Sequence, residues 1–156
     1  MHTEDSYIRQ TISEASLSID NNGGPFGAII VYENKVIAVG TNSVTIDNDP
    51  TAHAEINAIR KAAKILQRFD LSGCILYSSC EPCPMCLSAI YWSHIDKVYY
   101  AATREDAHDA GFDDNIIYNE FVTPIEKRKI PFINISRTEA LTVFEKWNNK
   151  KDKTAY

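Results

Sequence analysis

Two short stretches of this chain carry residue types and spacings that could do chemistry: His53-Ala54-Glu55 and Pro82-Cys83-Pro84-Met85-Cys86. Each reads as the start of a helix. Cys83 and Cys86, at i and i+3, then project from one helical face and can hold a single ion between them. A helix N-terminus and a nearby Zn²⁺ both favour thiolate, so both cysteines suit a metal. His53 would add a neutral nitrogen. Three protein ligands leave tetrahedral zinc one open position, the arrangement of a catalytic site rather than a structural one. Water there can lose a proton near neutral pH, its pKa falling from about 15.7 to roughly 7. Glu55, two residues after His53, is the natural group to take that proton and deliver it elsewhere.

Taken alone, the C-x-x-C pair reads equally well as a redox couple or as half of a four-ligand structural site. The added His-Ala-Glu lifts the catalytic reading above both. Cys80 forms a second C-x-x-C with Cys83. It is expected to pack beside the site, because a fourth sulfur would close the metal to water. Cys74 lies in an apolar run and reads as core. His2, His94 and His108 have no ligand-like neighbours and read as surface or packing residues.

The elements that must position these groups follow from periodicity. Ile8, Ile12, Ala15 and Ile19 recur at helical spacing and predict a first helix over Tyr7–Ile19, broken by NNGGP. Gly27–Tyr32 and Lys35–Gly40 predict a hairpin turning at Glu33-Asn34. Asp49-Pro50 looks like a helix start, with Ala52, Ile56, Ile59, Ala63 and Leu66 on one face. Cys74–Ser79 and Lys97–Ala101 read as strands, and Pro84–Ser93 as a helix. Phe132–Ile135 is a further candidate strand, and Leu141, Phe144 and Trp147 suggest a last helix. The stretch 103–131 is the least regular, as active-site loops often are. Alternating strands and helices imply an α/β domain with helices packed on a sheet.

The 156 residues fit one domain, with 137–156 as a C-terminal helix and tail. Composition is that of a globular protein, 44% hydrophobic and 24% charged. The chain has no apolar run of membrane-spanning length, and MHTEDSYIRQ lacks the basic-then-apolar pattern of a signal peptide. A cytoplasmic location with reduced thiols is the expectation. The net charge of −5 argues against a nucleic-acid partner. Lys146, Lys150, Lys151 and Lys153 form a local basic patch, read here as a solvated tail.

The pattern H-x-E…P-C-x-x-C is the signature of zinc deaminases. The chain resembles the cytidine deaminase-like superfamily through PFGAIIV, DPTAHAEINAIR and SSCEPCPMCLSAIYW, and AGFDD with Tyr156 is similar to the bacterial-type guanine deaminases within it. The resemblance implies a three-layer α/β/α sandwich with a mixed central sheet of about five strands. It implies one zinc per chain on His53, Cys83 and Cys86, with Glu55 as proton shuttle and a purine substrate. Substrate contacts would come from Phe26, Asn42 and Ala54. An acidic residue in the later loop would bind the amino-pyrimidine edge; Asp114 matches it, with Asp113 as the neighbouring alternative. The family's C-terminal segment closes over the pocket, often from a swapped partner in a homodimer, which brings in Trp92 and Tyr156.

These roles make chemical sense. Phe26 could offer an aromatic face, Asn42 a donor and an acceptor, and a carboxylate could accept from guanine's adjacent N–H and NH₂. Each residue also has a plainer reading: Phe26 as a core plug, Asn42 as a turn residue, Asp113 and Asp114 as a helix cap, Trp92 and Tyr156 as packing. The first motifs are equally similar to tRNA-specific adenosine deaminases, so that activity is the main rival. Cytosine, a pterin or a triazine would suit the same chemistry. A non-catalytic zinc staple is a third reading, one that would have no use for Glu55.

Overall fold

The structure is a computed structural model that describes residues 3–156; His2 lies outside the described residues. The chain divides into two compact units, Met1–Asp114 and Asn115–Tyr156.

The first unit is built on a four-stranded mixed sheet of order β2-β1-β3-β4. Helix α1 (Thr3–Asp20) leads into β1 (Gly27–Tyr32) and β2 (Lys35–Thr41), an antiparallel hairpin. Its turn residues Glu33 and Asn34 both have positive φ, 49° and 60°, as a two-residue turn matched to strand twist requires. A single turn α2 (Val44–Asp47) follows, then α3 (Ala54–Leu66) and β3 (Cys74–Cys80), which runs antiparallel to β1. Helix α4 (Pro84–Trp92) crosses over to β4 (Lys97–Ala102), parallel to β3. Parallel neighbours need such a crossover.

Alternation along the strands divides the core in two. Ala28, Ile30, Leu76 and Cys74 pack against Ala54, Ala58 and Ala62 of α3 and Ile90 of α4. Ile29, Val31 and Tyr77 face Tyr7 and Ile8 of α1 on the other side, where Tyr77 stacks on Tyr99 at 4.9 Å. The three layers are thus α1, the sheet, and α3 with α4, as expected. The sheet has four strands rather than about five: residues 131–136 take no regular structure and join no ladder among the described residues.

Helix α3 starts later than Asp49-Pro50 suggested. Asp49 accepts hydrogen bonds from the Thr51 amide and hydroxyl at 2.8 and 2.7 Å, a local Asx turn that competes with helix. The helix therefore begins at Ala54, with His53 as its N-cap. The expected face does meet the core, with Ala52 and Ile56 buried and Ile59, Ala63 and Leu66 partly buried against it, and beside it runs a fully buried row of Ala54, Ala58 and Ala62. Small residues are needed there because α3 lies directly on β2. At Gly40 an added Cβ would overlap the Ala54 carbonyl oxygen and sit 2.6 Å from Ala58 N, both backbone atoms. Gly40→Ala is therefore expected to destabilise the fold by about 3 kcal/mol, since backbone must move to admit it. A denaturant melt within about 0.5 kcal/mol of wild type would refute this packing.

The stretch expected to be irregular contains two helices, α5 (Arg104–Asp109) and α6 (Asn115–Val122). Thr103 and Asp106 form a reciprocal capping box on α5, a signal hidden by Asp standing where Glu or Gln is usual. In the second unit α6 is followed by a 3₁₀ turn at Ile125–Lys127, and by α7 (Arg137–Asn149), close to the helix expected from Leu141, Phe144 and Trp147. Arg128 lies over the Phe132 ring at 5.1 Å, and Lys129 N donates to the Glu120 carboxylate at 3.2 Å. The tail lysines are exposed; Lys150 pairs with Asp152 at 2.7 Å and Lys153 bonds Asn148 O at 3.0 Å.

Candidate active site

Two helix starts meet at one point. His53 is the N-cap of α3 and Cys83 the N-cap of α4, and Pro84 occupies the first helical position, where its missing N–H costs nothing. N-caps are normally Ser, Thr, Asp or Asn, whose side chains bond the first free amides. Neither His53 nor Cys83 makes a side-chain cap bond. Their side chains instead turn toward each other and toward Cys86.

His53 Nδ1 lies 3.5 Å from Cys83 Sγ and 3.6 Å from Cys86 Sγ. The three ligand atoms are all within 4.8 Å of one another. Tetrahedral zinc with about 2.3 Å to sulfur and about 2.05 Å to nitrogen requires an N···S edge of about 3.6 Å. Both N···S edges therefore match those of a bound ion. Electrostatics agree: hydrogen bonding from Cys86, and then from His53, pulls the Cys83 thiol down to about 4. The same contact with Cys83, together with burial, pushes the Cys86 thiol up. His53 is raised by its hydrogen bond to Cys83, against the effect of burial.

Glu55 is 6% exposed, and burial raises its carboxyl above the ordinary range. Oε2 is 3.3 Å from Cys86 Sγ, at the edge of the ligand cluster. Oε1 accepts a hydrogen bond from the Ser78 hydroxyl at 3.2 Å. Cys80 is outside the ligand set: its Sγ faces Thr103 O at 3.5 Å, and burial pushes its thiol up to about 11, away from thiolate. Cys74 is fully buried in the core. His94 pairs with Asp70 at 3.7 Å and His108 with Asp113 at 3.3 Å, both half-exposed.

Around this centre the loops are tied to one another. Asn42 N donates to Phe26 O at 3.1 Å, and Gly24 N donates to Asn42 O at 3.1 Å. Asn42 Oδ1 accepts from Val44 N at 3.3 Å, and no side chain or amide among the described residues takes its Nδ2. A Cβ at Gly24 would come 2.8 Å from Asn42 Oδ1, so the close approach requires glycine. Ala54 is fully buried at the first position of α3. Phe26 meets Phe112 edge-on with centroids 4.9 Å apart. The adjacent aspartates diverge. Asp113 is turned to His108, while the half-buried Asp114 is raised first by desolvation and then by the negative charge of Cys83.

Two expected contacts are not brought to this cluster within the first unit. Trp92 ends α4, about 12 Å along the helix axis from the Cys83 end, and is 65% exposed. Tyr156 belongs to the second unit and is exposed. Three contributors went unread in the sequence. Ser78 and Phe112 are two of them. The third is Asn57, whose Nδ2 donates to Thr41 O, Ser43 Oγ and Ala52 O and so clamps the loop carrying Asn42 and His53. Asn57 lies on a helical stretch of mixed faces, and only its long-range partners reveal it.

Comparison with known proteins places these features in a family. Residues 1–102 match the cytidine and deoxycytidylate deaminase zinc-binding region. The chain is 50% identical over 153 residues to guanine deaminase of Bacillus subtilis, covering 97% of this chain and 98% of the relative. The crystal structure of guanine deaminase from that organism superposes with a TM-score of 0.95, over the same shares of the two chains. A tRNA-specific adenosine deaminase of Buchnera aphidicola is 34% identical over 149 residues, 94% of this chain and 95% of its own.

Proposed function

Because the chain belongs to the cytidine and deoxycytidylate deaminase zinc-binding family, we propose that it hydrolyses guanine to xanthine and ammonia. Zinc is its cofactor. The observation that carries the reaction class is the buried Glu55 carboxylate set 3.3 Å from one of three converging metal ligands. The choice of guanine rests on the chain-long likeness to a guanine deaminase.

His53, Cys83 and Cys86 would hold the zinc, which when bound supplies the Lewis acidity that makes water nucleophilic near neutral pH. Glu55 takes the proton of the attacking water. It passes that proton to N3, the unprotonated ring nitrogen beside C2, and then carries the second proton, from the oxygen added at C2, to the departing NH₂, which leaves as ammonia. No proton need come from solvent. Phe26 supplies an aromatic face for the purine. The Asn42 Nδ2, held by the Val44–Oδ1 bond, donates to a carbonyl or bare ring nitrogen, and Ala54 offers backbone at the floor of the site.

Asp114 accepts from guanine's N1–H and the adjacent NH₂. Adenine lacks that donor pair, so its binding would leave a partly buried carboxylate without partners. Asp114→Ala is accordingly expected to lower kcat/KM for guanine roughly 100-fold or more while zinc content stays unchanged. Undiminished guanine turnover in that variant would remove Asp114 from the account of specificity.

The enzyme acts as a homodimer whose C-terminal segment closes a partner's site, bringing Trp92 and Tyr156 to the substrate. In support, α6 and α7 bury no side chain, and Phe121, Val122, Ile133, Ile135 and Phe144 are each more than 60% exposed. An apolar surface of that extent calls for a partner surface to cover it. A place in purine catabolism or salvage, in the cytoplasm, suits four free cysteines and the absence of any described helix long and apolar enough to cross a membrane.

A further inference from the structure

Along β3, the residues facing α3 are Cys74, Leu76 and then Ser78, the first two belonging to the apolar core cluster. Ser78 is 2% exposed, between Ala28 of β1 and Tyr100 of β4. A hydroxyl in that row is costly unless it is bonded. Its one hydrogen-bond partner among the described residues is Glu55 Oε1, 3.2 Å away and 23 residues distant in sequence. The next residue, Ser79, lies on the opposite face and has a structural use, accepting from Gly27 N at 3.0 Å.

The Glu55 carboxylate therefore has its two oxygens in different surroundings. Oε1 is tied to the sheet, and Oε2 is directed at the metal ligands, 3.3 Å from Cys86 Sγ. We propose that Ser78 is a positioning residue for the reaction: its hydroxyl holds Oε1 of Glu55 so that Oε2 is the atom that carries the proton. A carboxylate free to rotate would divide its time between productive and unproductive orientations. Proton transfer tolerates little misplacement, and a one-ångström error can cost about 100-fold. Strand β3 is a rigid central element, a better anchor than a loop. The inference rests on Glu55 being the proton shuttle.

The test is a double-mutant cycle on the zinc-loaded enzyme with guanine, following kcat, KM and zinc content together. Ser78→Ala is expected to lower kcat roughly ten- to 100-fold, leave KM within about twofold, and keep one zinc per chain. In a Glu55→Gln background, where no shuttle remains to be aimed, Ser78→Ala should leave the residual rate within about twofold. An equal fall in both backgrounds would mean that Ser78 acts only through packing, and would overturn the proposal. So would a wild-type kcat in Ser78→Ala beside an inactive Glu55→Gln. Wild-type turnover in Glu55→Gln itself would instead remove the shuttle reading, and the proposal with it.

Discussion

Glu55→Gln is expected to bind one zinc per chain and to lose guanine turnover by roughly 10²- to 10⁴-fold, the usual share of general acid–base catalysis. Gln keeps the shape and the oxygen that Ser78 bonds, and its amide nitrogen, standing where Oε2 faced Cys86 Sγ, can donate to that sulfur, so the ligand cluster survives. What it lacks is a site for the water's proton. The loss should fall on kcat, because the amide fills the same space beneath the substrate. Burial works against a charged carboxylate at this position, so the metal-free Gln protein should melt no lower than wild type at neutral pH. Activity within about threefold of wild type would mean that another group moves the proton, since no general-base role is worth so little.

Cys83→Ala should be as damaging by a different route. Cys83 makes no capping bond to α4, so alanine removes a ligand without uncapping the helix. Helix content should hold while zinc falls from one ion per chain to a small fraction, and turnover drops at least about 10⁴-fold with the loss of Lewis acidity. Chelation of the wild type should give the same inactive state, and added zinc should restore it. Cys80 sharpens the outcome. Its thiol is disfavoured as a thiolate and its sulfur is occupied with Thr103 O. A Cys83→Ala protein that still held stoichiometric zinc would mean that Cys80 can rotate in as a ligand, and the three-ligand description would fail.

How much of this was legible beforehand depended on whether the signal was local. Cys83 and Cys86 can share one ion because of i,i+3 geometry at one helix start, and the hairpin turns where Glu33-Asn34 permits positive φ; both are short-range facts. The start of α3 was misjudged because Asp49 bonds Thr51 rather than capping a helix, and either use suits Asp before Pro. The fifth strand was expected from composition and from the family resemblance. Residues 131–136 form no strand, because a β-branched, aromatic composition does not by itself supply a pairing partner. Ser78 and Asn57 could not be singled out, since their importance lies in partners that only the fold brings within reach. In sequence only the family resemblance favoured Asp114 over Asp113. Their neighbours His108 and Cys83 separate them.

The most direct test of the central claim is ammonia release by the purified, zinc-loaded protein offered guanine, adenine, cytosine or a tRNA anticodon stem-loop, with Glu55→Gln as the blank. The account predicts that guanine gives xanthine and ammonia in equal amounts, that the other three give far less, and that the blank gives almost none. Turnover of the stem-loop or of cytosine with guanine left untouched would contradict it, keeping the zinc chemistry but overturning the substrate.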